Sequence, residues 1–155
     1  MAKAKLGHVA LHAQNPLALS QFYNDMFDMQ LVGGTTTNSN AFIGNHPQEE
    51  NHDLAFFRSP IAAHIGFKVD TLRDLLAYYH KVKASGIKID YVFNHGFALA
   101  MYFSDLEGNG IEIYWPTGRE DYQPPYVEPF VNSGWAMAQN HIWCACLLSV
   151  REPQC

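Results

Sequence analysis

The sequence repeats one order of predicted elements twice, and this repeat restricts the fold more than any other feature. Each half reads as one strand, one helix and three further strands. The predicted strands lie at 6–13, 29–34, 40–45 and 52–58 in the first half and at 63–70, 87–94, 98–105 and 110–115 in the second, and the predicted helices lie at 15–27 and 71–86. Two such modules in one chain predict an α+β fold.

Both predicted helices carry end signals in the sequence. Asn15 is a typical N-cap residue, and Pro16 follows it at the first helical position. The second helix opens with the capping pattern Thr71-x-x-Asp74 and closes at Gly86. The helices therefore occupy equivalent places in the two halves.

The register of the repeat brings four positions into correspondence. His64 lies 56 residues after His8, and Glu112 lies 56 residues after Phe56. If the modules pack about a pseudo-two-fold axis, these four positions converge near that axis. Three of them hold metal-ligating side chains, and Phe56 cannot bind a metal. Two histidines and one carboxylate are typical of non-heme Fe(II) oxygenases, so the sequence predicts a metal site of His8, His64 and Glu112 with open positions.

Each of these residues also has a simpler interpretation. A single histidine in a strand is more often a core or surface residue than a ligand, and Glu112 taken alone could face solvent. Their repeat-related positions favour the metal site. His12 and His80 have no such support and are interpreted as structural or solvated residues.

Composition excludes several classes of function. The chain has 155 residues, the length of one ordinary domain, and a formal net charge of −5 without a basic block, which argues against a nucleic-acid partner. It has no apolar run of membrane-spanning length and no signal-peptide pattern, so we expect a cytoplasmic protein with no membrane partner. The three cysteines, Cys144, Cys146 and Cys155, are interpreted as reduced thiols rather than a disulfide framework.

Four segments resemble the vicinal oxygen chelate superfamily, which includes glyoxalase I, bleomycin-resistance proteins and extradiol dioxygenases: "GHVAL", "FYNDMF", "AHIGF" and "YFSDLEGNGIEIYW". The resemblance covers roughly residues 5–116. It implies two βαβββ modules, at about 5–58 and 61–116, that form a cupped mixed β-sheet around a metal within a single domain at 1–116. Residues 117–155 are then a C-terminal extension of unknown role.

Two further segments, "NHDLAFF" and "NHGFALAMYFSDLEGNGIE", are similar to those of type I extradiol dioxygenases, especially the small catechol 2,3-dioxygenase-like proteins. The resemblance implies that His52 is an acid–base residue and that His95 and Tyr102 form hydrogen bonds with the substrate. His95 could instead be a turn residue, and Tyr102 a core aromatic. Leu106 departs from the pattern, because many members have proline there.

The function implied by the resemblance is cleavage of a catechol-type ring with O2, using Fe(II) or, as second choice, Mn(II). A homo-oligomer is the expected assembly. Three alternatives remain open on the same scaffold. They are a fosfomycin-resistance-type thiol transferase, a glyoxalase-like lyase, whose fourth ligand would be replaced by Phe56, and a metal-free bleomycin-resistance-type binding protein.

Overall fold

The computed structural model describes residues 3–34, 36–45 and 52–117. It contains eight strands, two α-helices and one short 3-10 helix in the predicted order. The strands are β1 (Lys5–His12), β2 (Gln30–Gly34), β3 (Asn40–Gly44), β4 (Leu54–Phe57), β5 (His64–Lys68), β6 (Ile89–Asn94), β7 (Ala98–Ser104) and β8 (Gly110–Pro116). The helices are α1 (Pro16–Phe27) and α2 (Leu72–Ala84), and the 3-10 helix is Pro60–Ala62.

All eight strands form one mixed sheet in the order β2-β3-β4-β1-β5-β8-β7-β6. Within each module the first strand pairs in parallel with the last, β1 with β4 and β5 with β8, and the other pairs are antiparallel. The two modules meet at the antiparallel pair β1–β5 in the middle of the sheet. The predicted α+β fold with two strand–helix–three-strand modules is therefore confirmed.

The helix end signals act as the sequence predicts. The Asn15 side chain accepts a hydrogen bond from the Ala18 amide at 3.1 Å, and the Thr71 hydroxyl accepts one from the Asp74 amide at 3.1 Å. Each cap satisfies an amide that has no partner within the helix. The second helix ends at Ala84, two residues before the predicted end, and Gly86 follows with a φ of 72°.

The pairing of β1 with β5 obeys the predicted spacing of 56 residues. His8 lies across from Gly66, and His64 lies across from Ala10, so the two histidines are related by the symmetry of this strand pair. Because side chains two residues apart share a face of a strand, Gly66 and Ala10 lie on the same face as the histidines. The central strand pair therefore brings His8 and His64 to one face of the sheet.

The last strands do not keep this spacing, and the prediction for Phe56 was wrong. Ala10 of β1 pairs with Ala55, whereas the equivalent Gly66 of β5 pairs with Glu112. Ala55, not Phe56, therefore occupies the position related to Glu112. A shift of one residue reverses the face of a side chain, so Phe56 lies on the opposite side of the sheet.

That opposite side is covered by the helices. Phe56 is fully buried in a cluster with Ala13, Met29, Ala41 and Ile43, and its ring centroid lies 5.3 Å from that of Tyr23 on α1. On the second module, α2 buries Leu75, Tyr79 and Val82. The apolar core thus fills one face of the sheet and leaves the other face to the polar residues of the candidate site.

The predicted extension falls almost entirely on residues 118–155, which lie outside the described residues, as do its three cysteines. The boundary near residue 116 and the role of the extension stay predictions. Among the residues that the structure describes, neither helix has the length and apolar composition needed to cross a membrane.

Candidate functional site

The candidate site is a row of side chains that crosses the middle of the sheet. His8 on β1 lies across from Gly66 on β5, Gly66 pairs with Glu112 on β8, and Glu112 pairs with Tyr102 on β7. Directly paired residues point to the same face of a sheet. Glu112 shares that face because its strand neighbours Ile111 and Ile113 alternate to the helix-covered side. The pairing of the strands therefore assembles the row.

His8, His64 and Glu112 form a compact cluster of three ligand-type side chains. The Nε2 atoms of the two histidines are 3.0 Å apart. The Glu112 Oε2 atom lies 3.0 Å from His8 Nε2 and 3.1 Å from His64 Nε2. His8 and Glu112 are 9% and 4% exposed, so the cluster is largely withdrawn from water. The structure thus brings together the three residues predicted as metal ligands.

The spacing of these atoms fits one face of a metal ion's coordination shell. Ligand atoms at right angles, each about 2.1 Å from a metal ion, are about 3.0 Å apart. The three separations in the cluster are 3.0–3.1 Å. The position related to Glu112 holds Ala55, whose side chain has no ligand atom. The residues present therefore fit a divalent metal held by three protein ligands.

The tautomer of His64 also suits a metal ligand. Its Nδ1 atom lies 2.8 Å from the Ala62 carbonyl, which can only accept a hydrogen bond. Nδ1 must therefore carry the proton, and the neutral ring directs the lone pair of Nε2 into the cluster. A backbone carbonyl that orients a histidine in this way is a common support for metal-binding histidines.

Glu112 stays ionised in this setting. Burial by itself would raise its pKa, but hydrogen bonds and charge interactions with His64 and His8 outweigh that effect and hold the pKa well below its ordinary value. The carboxylate form is the one that binds metals and accepts hydrogen bonds. The buried carboxylate in an otherwise apolar strand is thus explained by its two histidine neighbours and by Tyr102.

Tyr102 and His95 continue the network on one flank of the cluster. The Tyr102 hydroxyl donates a short hydrogen bond to Glu112 Oε1, and His95 Nε2 lies 2.9 Å from the same hydroxyl. Because the single hydroxyl proton is directed at Glu112, His95 must donate to Tyr102 through Nε2–H. Burial, followed by the charge of Glu112, raises the pKa of Tyr102, and burial lowers the pKa of His95. Both groups are therefore neutral donors.

The turn between β6 and β7 sets the position of His95. The His95 amide donates to the Ala98 carbonyl at 2.8 Å, and the Gly96 amide donates to the Asn94 side chain at 2.8 Å. Gly96 has a φ of 84°, a conformation that glycine adopts without strain. Thr117 binds the turn from the other side through the Gly96 carbonyl at 2.8 Å. His95 is thus a turn residue, as one interpretation held, and also a member of the site.

His52 lies on the opposite flank, beside His8. Its ring centroid is 4.6 Å from that of His8 and 4.9 Å from that of Phe42. The next residue, Asp53, anchors this segment, because its amide donates to Ile43 and its carbonyl accepts from Val9. Burial and then the nearby His8 lower the pKa of His52 from 6.5 to about 4, so the ring is neutral at pH 7.

Sequence reasoning missed two residues of this face. Gly66 provides the space for the His8 ring, because a Cβ at this position would lie 2.4 Å from His8 Cε1. Tyr91 on β6 stacks on Tyr102 with ring centroids 4.4 Å apart. The position of Gly66, two residues after His64 in the same strand, was a signal for the first. No sequence signal marked Tyr91, because its place depends on the pairing of β6 with β7.

A cavity of about 180 Å³ opens beside the cluster. Its lining includes His64, Tyr91, Tyr102, Ala63 and Ile61. The cavity therefore reaches one candidate metal ligand and the tyrosine that binds Glu112. A small molecule in it would contact the site from the side of β6 and the 3-10 helix.

Comparison with known proteins agrees with this arrangement. The family model described as "Glyoxalase/Bleomycin resistance protein/Dioxygenase superfamily" matches residues 5–113. The chain belongs to this superfamily. The match spans both modules and all six residues of the candidate site. Membership in the glyoxalase/bleomycin resistance/dioxygenase superfamily was predicted from the sequence segments and is confirmed.

Two relatives within the superfamily are dioxygenases of Rhodococcus globerulus. The chain is 28% identical over 123 residues to biphenyl-2,3-diol 1,2-dioxygenase 2, which covers 72% of this chain and 63% of the relative. It is 27% identical over 121 residues to biphenyl-2,3-diol 1,2-dioxygenase 3, covering 70% and 62%. The chain thus spans less than two thirds of the length of both relatives.

Solved structures of the superfamily share the fold. A catechol 2,3-dioxygenase superimposes with a TM-score of 0.60 at 20% identity, over 83% of this chain and 46% of that chain. The Mn(II)-bound glyoxalase from Novosphingobium aromaticivorans gives a TM-score of 0.61 at 18% identity, over 81% and 44%. The same sheet thus occurs in an oxygenase and in a glyoxalase, so function has to be argued from the site.

Proposed function

We propose that the chain is a metal-dependent extradiol dioxygenase, which opens the ring of a catechol-type substrate with O2. One observation carries the proposal, namely the cluster of His8, His64 and Glu112 with His52 on one flank and the His95–Tyr102 pair on the other. The names of the two curated relatives support it, because both act on biphenyl-2,3-diol, a catechol with a phenyl substituent.

Fe(II) is the proposed metal, with Mn(II) as the second choice, since two imidazoles and one carboxylate suit either ion. His8 and His64 would bind it through Nε2, and Glu112 through Oε2. When bound, the metal supplies a Lewis-acidic centre that brings the catechol oxygens and O2 together and couples them electronically. Ala55 adds no fourth ligand, which favours open positions over a closed structural site.

His52 is proposed as the acid–base residue. Its pKa of about 4 keeps the imidazole neutral at pH 7, so a ring nitrogen can accept a proton from a catechol hydroxyl and return it later. Its ring lies 4.6 Å from that of His8, which places it next to the metal ligands without making it one of them. Phe42 on its other side limits the access of water to the ring.

His95 and Tyr102 are proposed to orient the substrate. Both are neutral hydrogen-bond donors on the flank that faces away from His52, and His95 is the more accessible, with 30% of its side chain exposed. Catechol oxygens gain negative charge as protons leave, and directed donors stabilise such charge. The Nε2–H of His95 can turn from Tyr102 to a substrate oxygen, while Tyr102 keeps its hydrogen bond to Glu112.

Anaerobic reconstitution tests the proposal. The full chain is loaded with Fe(II), mixed with air-saturated catechols that include biphenyl-2,3-diol, and followed by O2 uptake and visible absorbance. One O2 consumed per yellow ring-opened product supports extradiol cleavage. Iron binding without O2 uptake across the panel contradicts it and favours a thiol transferase or a glyoxalase-like lyase. Failure to bind Fe(II) or Mn(II) favours a metal-free binding protein.

The predicted homo-oligomer and the predicted cytoplasmic location stay predictions. Light scattering coupled to size-exclusion chromatography measures the molar mass of the assembly. A mass near 17.5 kDa, the mass of one chain, would contradict the oligomer.

A further inference from the structure

Tyr91 is the residue in contact with the site for which the proposed function gives no role. It lies directly across from Tyr102 on the neighbouring strand. The two rings are stacked, with centroids 4.4 Å apart and an interplanar angle of 22°. Tyr91 is 37% exposed on the edge strand of the sheet, so one face of its ring covers Tyr102 and the other meets solvent.

A β-bulge produces this stack. Ile89 pairs with Phe103, but Tyr91 pairs with Tyr102, so β6 carries one extra residue at Asp90. In an unbroken ladder Asp90 would lie across from Tyr102, and Tyr91 would point to the other face. Bulges next to active sites commonly redirect a side chain in this way. The bulge therefore turns the Tyr91 ring onto the face of Glu112.

The first module shows the same device without the ring. Its second strand has a register shift between Leu31 and Gly33, and Gly33 pairs with Phe42 just as Tyr91 pairs with Tyr102. The bulge thus belongs to the module, whereas the aromatic residue is specific to the half that carries Glu112. A stacked ring is present only where the covered residue has a hydroxyl directed at the candidate metal cluster.

The other contacts of Tyr102 hold its edge and its hydroxyl. The His64 ring meets the Tyr102 ring edge-on with centroids 5.6 Å apart, and the hydroxyl lies between Glu112 Oε1 and His95 Nε2. Tyr102 also lines the cavity beside the cluster, so part of its ring borders open space. A stacked neighbour prevents the ring from tilting into that space.

We propose that Tyr91 is a positioning residue that stacks on Tyr102 and keeps the Tyr102 hydroxyl between Glu112 and His95. The inference rests on the proposed function for its effect on turnover, but its structural part stands without it. The planar ring of Tyr91 performs this role, and the Tyr91 hydroxyl is not required.

Two substitutions separate the ring from the hydroxyl. Tyr91→Phe keeps the stack, and Tyr91→Leu removes the flat surface while it keeps an apolar side chain on the edge strand. Tyr91→Met serves as a second non-planar variant if the leucine variant fails to fold. Val92→Ala is the matched control, because Val92 is the next residue of β6 and pairs with Met101 on the opposite face.

The first readout is the order of the Tyr102 ring in the full chain labelled with 3-fluorotyrosine. The 19F resonance of Tyr102 is identified by its loss in Tyr102→Phe. We expect one narrow line in the wild type, in Tyr91→Phe and in Val92→Ala, and two or more lines in Tyr91→Leu. A single narrow line in both non-planar variants overturns the proposal.

The second readout is turnover of the Fe(II)-loaded protein. Misplacement of a substrate-orienting group by about 1 Å costs up to about 100-fold in rate, so we expect kcat to fall at least roughly tenfold in Tyr91→Leu. We expect unchanged iron content, a KM within about threefold and near-complete rescue in Tyr91→Phe. Equal losses in the phenylalanine and leucine variants overturn the proposal. If the wild type takes up no O2, the proposed function fails, and the 19F spectra alone decide the role of Tyr91.

Discussion

His8 lies directly across from Gly66, and its ring fills the space that the glycine leaves open. A Cβ atom at residue 66 would lie 2.4 Å from His8 Cε1 and 2.7 Å from both ring nitrogens. Such distances are far inside van der Waals contact, so any side chain at this position must displace the His8 ring. Gly66 is thus as necessary to the cluster as the residues that carry its ligand atoms.

Gly66→Ala should therefore impair metal binding without unfolding the protein. The His8 ring can rotate away from the added methyl group, which moves its Nε2 out of the cluster. We expect the affinity for Fe(II) to fall at least about tenfold, because a ligand or its support typically contributes 10–100-fold. Metal titration against a chelating indicator measures the change. Gly33→Ala is the control, since its Cβ would meet only the Phe42 ring, at 3.3 Å. Equal affinity in both variants would argue against this account.

Substitutions at Glu112 and His52 should separate metal binding from acid–base chemistry. Glu112→Ala removes a ligand atom that lies 3.0 Å from His8 Nε2, so we expect loss of bound iron after reconstitution. His52→Ala leaves the three ligands intact, so iron should stay stoichiometric while kcat falls by about 10²–10⁴-fold. Elemental analysis and O2 uptake measure the two effects. Unchanged turnover in His52→Ala across the substrate panel would remove its proposed role.

The stability of the metal-free protein should depend on pH through His52. Its pKa falls from 6.5 to about 4 on folding, so the unfolded chain takes up the proton at a higher pH than the folded chain. The contribution is complete above pH 6.5 and is lost as the pH falls towards 4. Its size is up to about 3 kcal/mol.

Urea unfolding at pH 7 and pH 4.5 tests this dependence. We expect the wild type to lose more unfolding free energy between these two values than His52→Gln, because the variant lacks the titrating group. The other carboxylates and histidines titrate in both proteins, so the difference between them isolates His52. Identical losses in the two proteins would show that its pKa is not lowered by folding.

The turn before β8 should become more stable when Leu106 is replaced by proline. The Gly108 amide donates to the Asp105 carbonyl at 3.2 Å, which closes a four-residue turn with Leu106 in its second position. Proline is favoured at this position, and Leu106 is 98% exposed. The hydrogen bonds of the turn use the amides of Glu107, Gly108 and Asn109.

We expect Leu106→Pro to raise the free energy of unfolding by about 0.4–1 kcal/mol, because proline reduces the conformational freedom of the unfolded chain. Urea unfolding measures the gain. Leu106→Ala should change stability by less than about 0.5 kcal/mol, since the side chain is solvated. A destabilised proline variant would show that the backbone of Leu106 departs from the geometry proline needs. Metal affinity should not change in either variant.

The repeat determined most of the fold and the central pair of ligands. His8 and His64 keep their spacing of 56 residues in the structure, because the strands that carry them pair symmetrically with each other. Helix caps at Asn15 and Thr71 were readable because capping is local chemistry between residues three apart in the chain. Glu112 stood out as a single carboxylate in an apolar strand.

The same reasoning failed where strand register departs from a constant spacing. The connection between the first and last strand is one residue shorter in the first module, so Ala55 rather than Phe56 corresponds to Glu112. A one-residue shift is barely visible in the sequence, yet it moves Phe56 from the site to the core. The conclusion that this position adds no ligand holds for a different residue.

The sequence by itself determined the two modules, the superfamily and the residues that meet at the centre of the sheet. Only the tertiary structure decided which neighbours support them: Gly66 under His8, Tyr91 on Tyr102 and the turn that brings His95 to Tyr102. The physical reason is that strand-like and helix-like patterns and caps are properties of nearby residues. Pairing register, bulges and burial arise between strands that are distant in the chain, and they set both the contacts and the pKa values of the site.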